Sequence, residues 1–226
     1  MANLIIKPTS GGSLILQDEG GDAALTVDTS GRVIGVGGLK SQQVFTTAGS
    51  ATWTKPAGIT TIKVYVTGVG GGANCKGSGV SASGGGGGTS IKIIDVSSIS
   101  SVAVTIGAGG AGTTNTTRGA TGGTSSFGSH CTGLGGQGGF RHSTPYDGGL
   151  GGLGTGGDLN LRGDSGAQGA VNGTHAGGGS FWGGSGKGTD SATAGDDGDH
   201  GGGGGGLYTA TVTSGGDGIC VVEEYS

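Results

Sequence analysis

Thr61-Ile62-Lys63-Val64-Tyr65-Val66-Thr67 is the stretch that decides the fold class. Its apolar residues alternate, so Ile62, Val64 and Val66 share one face, and a period of two indicates a half-buried β-strand. Similar runs recur at 44–45 with 51–53, 90–94, 101–106, 208–213 and 219–225. No segment carries a convincing helical period. The sequence therefore predicts an all-β protein without significant helix, whose main domain is an antiparallel β-sandwich.

A glycine-rich insertion interrupts the predicted sandwich at about residues 107–206. The chain has 63 Gly among 226 residues but only 3 Pro, and its glycines follow no three-residue repeat, which excludes collagen. We expect the insertion to form polyproline II-like strands that lie side by side. Glycine lets neighbouring backbones approach closely, so N–H and C=O groups can pair between strands. The other residues of the insertion would then occupy turns and outer faces.

Residues 1–40 differ in pattern from the rest of the chain. Short apolar runs alternate there with turn signals and predict short strands, at 4–6, 13–16, 24–27 and 32–36. So few short strands bury too little surface to fold alone. We therefore expect residues 1–40 to oligomerise and residues 41–226 to form the glycine-rich β-sandwich domain.

Charge and hydropathy exclude several function classes. The net charge of -4 argues against nucleic acid as a partner. No apolar run approaches the roughly 20 residues of a membrane span, so membrane insertion is not expected. The N-terminus lacks the pattern of a signal peptide. Cys75, Cys131 and Cys220 are widely spaced and odd in number, which favours free thiols packed as small hydrophobic groups.

Motifs that would indicate an enzyme or a cofactor site are weak. Gly152, Gly154 and Gly157 match a dinucleotide fingerprint by letter, but no βαβ pattern surrounds them. Arg162-Gly163-Asp164 arises easily in glycine-rich sequence and favours a turn with a local charge pair. The acidic run 196–200 favours a solvated loop over a metal site. We expect no enzyme activity, no cofactor and no metal.

Aromatic residues are scarce, and half of them lie in the insertion. Five side chains crowd into two short stretches, 140–146 and 181–182, of a region otherwise poor in side chains. They are Phe140, His142, Tyr146, Phe181 and Trp182. Aromatic anchors contribute binding energy at a low cost in rotamer entropy. We interpret these five as candidate receptor-binding residues, and the alternative is that the rings pack between glycine layers.

Three segments resemble the glycine-rich domain of phage tail fibres. The opening at 51–60 with 62–66, the central strand Val104-Thr105-Ile106-Gly107-Ala108-Gly109-Gly110 and the closing strand 216–225 follow one another in the order of that family. Residues 11–34 resemble trimeric phage fibre shafts. The insertion is also similar, more distantly, to phage adhesins built from stacked polyglycine helices. The resemblance implies a homotrimer with a short β shaft over 1–40.

The resemblance also implies a function. A tail-fibre protein is made in the host cytoplasm, assembles into the virion with other tail or baseplate proteins, and binds a host cell-surface glycan or outer-membrane protein. We expect receptor binding through glycine-rich loops. The alternatives are a purely structural fibre or cap component, and an ice-binding protein, although ice binding favours a regular repeat with Thr or Ala on one face.

Overall fold

The structure is a computed structural model that describes part of the chain. The described residues are 14–17, 23–27, 33–35, 38–76, 80–114, 117–141, 146–169, 175–189, 195–206 and 212–226. They form strands and no helix. In chain order the strands are β1 (Leu14–Gln17), β2 (Ala23–Val27), β3 (Val33–Gly35), β4 (Leu39–Phe45), β5 (Gly49–Thr54), β6 (Thr61–Thr67), β7 (Asn74–Lys76), β8 (Val80–Ala82), β9 (Thr89–Asp95), β10 (Ser101–Ile106), β11 (Ser125–Phe127), β12 (Cys131–Gly133), β13 (Phe140–Arg141), β14 (Tyr146–Asp147), β15 (Gly154–Thr155), β16 (Leu159–Leu161) and β17 (Ile219–Tyr225).

Two antiparallel five-stranded sheets form the sandwich. One has the strand order β15-β12-β11-β10-β5, and the other has the order β16-β9-β6-β17-β4. The predicted alternation of β6 is confirmed, because Ile62, Val64 and Val66 are fully buried between the sheets. Trp53 and Phe127 fill the centre of this core with their rings 5.8 Å apart. The all-β prediction and the antiparallel arrangement are both confirmed.

Most of the predicted strands lie where the alternation placed them. The runs at 44–45, 51–53, 90–94, 101–106 and 219–225 fall in β4, β5, β9, β10 and β17. The strand predicted at 208–213 is not confirmed. Residues 207–211 lie outside the described residues, and Val212 and Thr213 are not part of a strand.

The N-terminal strands form a sheet of their own. β1, β2 and β3 pair antiparallel in that order, which matches three of the four short runs predicted before residue 40. The remaining run, 4–6, lies outside the described residues. Ile15 and Leu16 are each about half exposed on β1. This sheet therefore leaves apolar surface open in the single chain.

A buried carboxylate attaches edge strand β4 to the sandwich core. The side chain of Glu224 on β17 is fully buried. Its Oε1 accepts hydrogen bonds from Trp53 Nε1 at 2.7 Å and from Gln43 Nε2 at 2.6 Å, and its Oε2 accepts one from the Ser41 hydroxyl. Burying a carboxylate is costly unless its oxygens are hydrogen-bonded, so these three donors keep Glu224 inside the core.

A glycine bundle extends from one end of the sandwich. It consists of short extended segments that run side by side and are joined by backbone hydrogen bonds. Three of them are interior segments, at 68–73, 83–88 and 201–206, and all their residues are buried. Around these lie the outer segments, at 107–113, 119–124, 134–139, 148–153, 163–168, 175–180, 183–188, 196–199 and 213–218.

Hydrogen bonding in the bundle has a three-residue period. Gly71 N donates to Gly85 O, Gly72 N to Ala120 O and Ala73 N to Thr213 O, so three successive residues bond to three different segments. This period is that of the polyproline II conformation, which has three residues per turn and no internal hydrogen bonds. Interior segment 83–88 bonds in this way to six neighbours. They are 68–73, 134–139, 148–153, 163–168, 175–180 and 201–206.

Glycine is required in the interior because no space exists for a side chain. A Cβ at Gly86 would overlap the carbonyl oxygen of Gly179, and a Cβ at Gly203 would overlap that of Gly84. Neither residue has a positive φ, so the requirement is steric and not conformational. In outer segments the residues between glycines point outward. Leu150 and Leu153, three positions apart in 148–153, are both exposed.

The bundle draws on more of the chain than the range 107–206. Two of its interior segments, 68–73 and 83–88, precede that range, and outer segment 213–218 follows it. Conversely, β11, β12, β15 and β16 lie within the range but belong to the two sandwich sheets. The bundle and the sandwich are therefore interleaved along the sequence.

Candidate functional site

The sandwich orients the bundle and defines its two ends. β6 continues directly into interior segment 68–73, and 83–88 continues directly into β9. The bundle end at Gly68 and Gly88 is therefore the junction end, where the bundle meets the sandwich. The opposite end, marked by Ala73, Ser83 and Gly206, is the remote end. At about 3.1 Å per residue, six residues place the two ends roughly 15–20 Å apart.

Most connections between bundle segments begin and end at the remote end. Six connections join one segment to the next at this end. They run from 73 to 83, 113 to 119, 139 to 148, 168 to 175, 188 to 196 and 206 to 213. Connections carried on a rigid scaffold are common places for binding residues.

The predicted stretch 140–146 belongs to the remote end. Strands β13 and β14 pair there, with Phe140 opposite Asp147. Phe140 is half-buried, and the guanidinium carbon of Arg118 lies 4.8 Å from its ring centroid. Tyr146 contributes the backbone of β14, and His142 lies outside the described residues. The guanidinium of Arg118 thus packs over the ring of Phe140 in this structure.

The predicted stretch 181–182 belongs to the junction end. Phe181 and Trp182 occupy the turn between outer segments 175–180 and 183–188. Ser180 N donates a hydrogen bond of 3.0 Å to Gly183 O and closes this turn. The two rings are 5.2 Å apart, and they lie 6.1 and 5.5 Å from the ring of Tyr65 on β6. Phe181 is 50% exposed and Trp182 is 40% exposed.

Tyr65 was absent from the predicted site residues. It lies on the face of β6 opposite to Ile62, Val64 and Val66, so the alternation of β6 was the signal that could have placed it on the outer face of the sheet. Tyr65 is nevertheless only 9% exposed there. The five predicted residues therefore do not form one site. Phe140 and Tyr146 belong to the remote end, whereas Phe181 and Trp182 join Tyr65 at the junction end.

Polar groups extend the junction-end aromatic cluster along the outer face of the sandwich. Lys63 Nζ lies 4.9 Å from the Tyr65 ring centroid. Glu223 Oε2 accepts hydrogen bonds from the hydroxyls of Tyr65 at 3.3 Å and Tyr225 at 2.8 Å. The hydrogen bond to Glu223 raises the pKa of Tyr225, and the hydrogen bond with Tyr65 raises the pKa of Lys63. These side chains hold one another in place.

The remaining motifs have structural roles. Gly163 N donates to Gly152 O and Asp164 N donates to Gly179 O, so Arg162-Gly163-Asp164 is part of an outer bundle segment and not the turn that the sequence predicts. In the acidic run, Asp197 Oδ1 accepts a hydrogen bond from Ser214 N at 2.6 Å. Among the described residues, no group of three or more His, Cys, Asp or Glu side chains is placed to hold a metal ion.

The two thiols in the sandwich core are unreactive near neutral pH. Cys131 and Cys220 are free and buried in the sandwich core, as the sequence predicts for them. Burial raises the pKa of Cys131 to about 11 and raises the pKa of Cys220 further. Both thiols therefore stay protonated near neutral pH, where a reactive cysteine would need to be a thiolate.

A family model described as the glycine-rich domain matches residues 46–225. The match covers the whole glycine bundle and every sandwich strand except β4, so the chain belongs to the glycine-rich domain family. No curated protein sequence matches the chain. The described residues include no helix that could span a membrane.

Proposed function

We propose that this protein is a phage tail-fibre component that attaches the virion to its host, and that the remote end of the glycine bundle makes the contact. The observation that supports this proposal is the gathering of six chain connections at one end of the bundle. The bundle beneath them is held by backbone hydrogen bonds that are mostly 2.7–3.1 Å long. Such a scaffold lets the connecting residues vary without loss of the fold.

The resemblance of the segments at 51–66, 104–110 and 216–225 to phage tail fibres supports the same proposal. The host ligand would be a cell-surface glycan or an outer-membrane protein. Of the five predicted anchors, Phe140, His142 and Tyr146 would face the host. Phe181 and Trp182 would supply a second contact at the junction end.

We also propose that the protein acts as a homotrimer in the virion, joined to other tail or baseplate proteins through residues 1–40. The half-exposed Ile15 and Leu16 on β1 support this, because partner chains would cover them. Three copies would raise the overall avidity even if each site binds weakly. Sedimentation of the purified protein should give a trimer, and a stable monomer would count against the shaft.

Ice binding is less consistent with the bundle surface. Ice-binding faces favour a regular array of similar small side chains. The exposed side chains of neighbouring outer segments include Gln137, Leu150 and Ser165, which differ in polarity, size and shape. A purely structural fibre component remains the competing function for the experiment to test.

Adsorption to bacteria tests the proposed function. The labelled protein should bind saturably to at least one strain of a bacterial panel and should block adsorption of the phage that carries it. Tyr146→Ala should lower binding several-fold with an unchanged melting temperature. Trp182→Ala is the matched aromatic control at the junction end and should lower binding less.

Two outcomes would contradict the proposal. Absence of binding to every strain, with antibody labelling of the tail body in electron micrographs, would favour the structural component. A loss of binding in Trp182→Ala alone would move the receptor contact to the junction end.

A further inference from the structure

Four neighbouring outer segments form one continuous face of the bundle. They are 119–124, 134–139, 148–153 and 163–168. Gly122 N donates to Gly136 O, Gln137 N to Leu150 O and Gly166 N to Gly149 O, at 2.8–2.9 Å. The segments are therefore fixed side by side by their backbones, and neighbouring segments run antiparallel.

The two central segments of this face present side chains at a regular spacing. Leu134 and Gln137 are exposed in 134–139, and Leu150 and Leu153 are exposed in 148–153, so exposed residues recur there every third position, about 9 Å along a polyproline II strand. Gln137 and Leu150 lie at the same level because their backbones pair, and Ser165 directly precedes the residue that pairs with Gly149. A shallow groove crosses the face towards the remote end. Its side chains are those of Arg118, Gln137, Asp147, Leu150, Ser165 and Gln168.

Arg118 is held in position before any ligand binds. Its Nη1 donates to Gly138 O at 2.9 Å, and its guanidinium lies over the Phe140 ring. A guanidinium has five N–H donors, and most of those of Arg118 remain available. Phe140 thus supports this arginine in addition to its predicted role as an anchor.

The polar groups of the groove have spare hydrogen-bonding capacity. Gln137, Asp147, Ser165 and Gln168 are exposed, and their side chains make no hydrogen bond to other described residues. Together they offer amide donors and acceptors, a carboxylate acceptor and a hydroxyl. Leu150 adds an apolar patch between them and is 55% exposed.

We infer that this groove binds an oligosaccharide. A sugar presents closely spaced hydroxyls, which both donate and accept, together with small apolar C–H patches, and the groove offers the complement of each. Arg118 and Asp147 carry opposite charges, so the groove as a whole has no preference for a highly charged chain. Hot spots for proteins are fully desolvated pockets, and this groove is open and polar. The inference rests on the proposed attachment function and specifies its ligand as a saccharide.

Arg118 and Arg162 provide a matched pair for the test. Each is an exposed arginine that directly precedes an outer segment, and each donates through Nη1 to a bundle carbonyl, Gly138 O at 2.9 Å and Gly151 O at 2.8 Å. Arg162 does not line the groove. Each variant therefore loses one hydrogen bond to the bundle backbone, and Arg118→Ala also loses the contact with the Phe140 ring. Both should stay folded, which thermal unfolding checks, while only Arg118→Ala removes a groove donor.

The full-length protein is tested against an array of defined bacterial surface oligosaccharides. We expect binding to at least one glycan, lowered roughly tenfold by Arg118→Ala and by less than twofold by Arg162→Ala, since a hydrogen bond to a charged group is among the stronger single contacts. A combined Gln137→Ala and Gln168→Ala variant should also weaken binding. Absence of binding to any glycan, or equal binding by all variants, would overturn the inference.

Cell adsorption separates this inference from the proposed function. Periodate treatment of host cells destroys vicinal diols of sugars, whereas protease treatment removes surface protein. The inference expects adsorption to fall after periodate and to persist after protease. Adsorption that survives periodate and is equal for Arg118→Ala and Arg162→Ala would refute the saccharide groove but leave host attachment standing. Glycan binding without adsorption to any strain would refute host attachment alone.

Discussion

The sandwich and the glycine bundle bury their interiors by opposite means. In the sandwich, large side chains such as Trp53 and Phe127 fill the space between two sheets. In the bundle, interior segments 83–88 and 201–206 contribute almost no side chains, and neighbouring backbones meet directly. The sandwich depends on burial of apolar area, whereas the bundle depends on hydrogen bonds and close backbone contact. The two regions should therefore respond to different mutations.

The largest effect should come from adding one methyl group inside the bundle. In Gly203→Ala the new Cβ would overlap the backbone of Gly84, which is fixed by its own hydrogen bonds and has no space to move into. We expect a loss above about 4 kcal/mol, which lies in the exceptional range for single mutations, or failure to fold. Thermal unfolding followed by circular dichroism measures the effect.

Gly184→Ala is the matched control for that substitution. A Cβ at Gly184, in an outer segment, meets no atom within 4 Å. The free energy of unfolding of this variant should lie within about 1 kcal/mol of that of the wild type. Equal melting temperatures for the two variants would contradict close packing of the interior segments.

The next largest effect should come from removing a core ring of the sandwich. Phe127→Ala empties a fully buried site beside Trp53 and should cost about 3–5 kcal/mol. Leu150→Ala in the bundle removes a side chain that is mostly exposed and should cost less than about 0.5 kcal/mol. Denaturant unfolding compares the two. A large loss for Leu150→Ala would mean that side chains also support the bundle.

Alkaline pH should weaken the sandwich through its buried thiols. Burial raises the pKa of Cys131 from 9.0 to about 11, so the folded state binds this proton more tightly than the unfolded state. The corresponding stability is complete below pH 9 and is lost as the pH rises towards 11. Chemical unfolding between pH 8 and 11 should show this loss. It should be smaller in a Cys131→Ala and Cys220→Ala variant, and identical pH profiles would refute the thiol contribution.

An effect well below that of Phe127→Ala should appear where the two regions touch. Phe181→Ala removes one half-exposed ring from the cluster with Tyr65 and Trp182 and should cost about 1 kcal/mol. Differential scanning calorimetry should detect a small decrease in melting temperature. A decrease as large as that of Phe127→Ala would mean that Phe181 is an essential part of the core.

The sequence predicted the sandwich better than the bundle or the candidate site. Alternation in β6 placed Ile62, Val64 and Val66 in the core, because the side chains of a half-buried strand alternate between its buried face and its other face. An extended glycine segment has no side chains, so its sequence contains no pattern that indicates which segments pack against it. The sequence therefore indicated pairing within the insertion, but not that 68–73 and 83–88 would lie at its centre.

The same limit applies to the candidate site. Crowding of aromatic residues in the sequence grouped Phe140 with Trp182, although the connections that carry them leave opposite ends of the bundle. Tyr65 contacts Trp182, and Arg118 contacts Phe140. The members of each pair come from separate parts of the chain, and the hydrogen-bond pattern of the folded backbone brings them together.

Amide hydrogen exchange of assigned glycines tests the central claim most directly. The interior segments form a hydrogen-bonded backbone core, so the amides of Gly71, Gly85, Gly86 and Gly203 should exchange as slowly as those of β6. Gly184, in an outer segment, should exchange faster. Fast exchange at all four interior glycines, while β6 remains protected, would contradict the account.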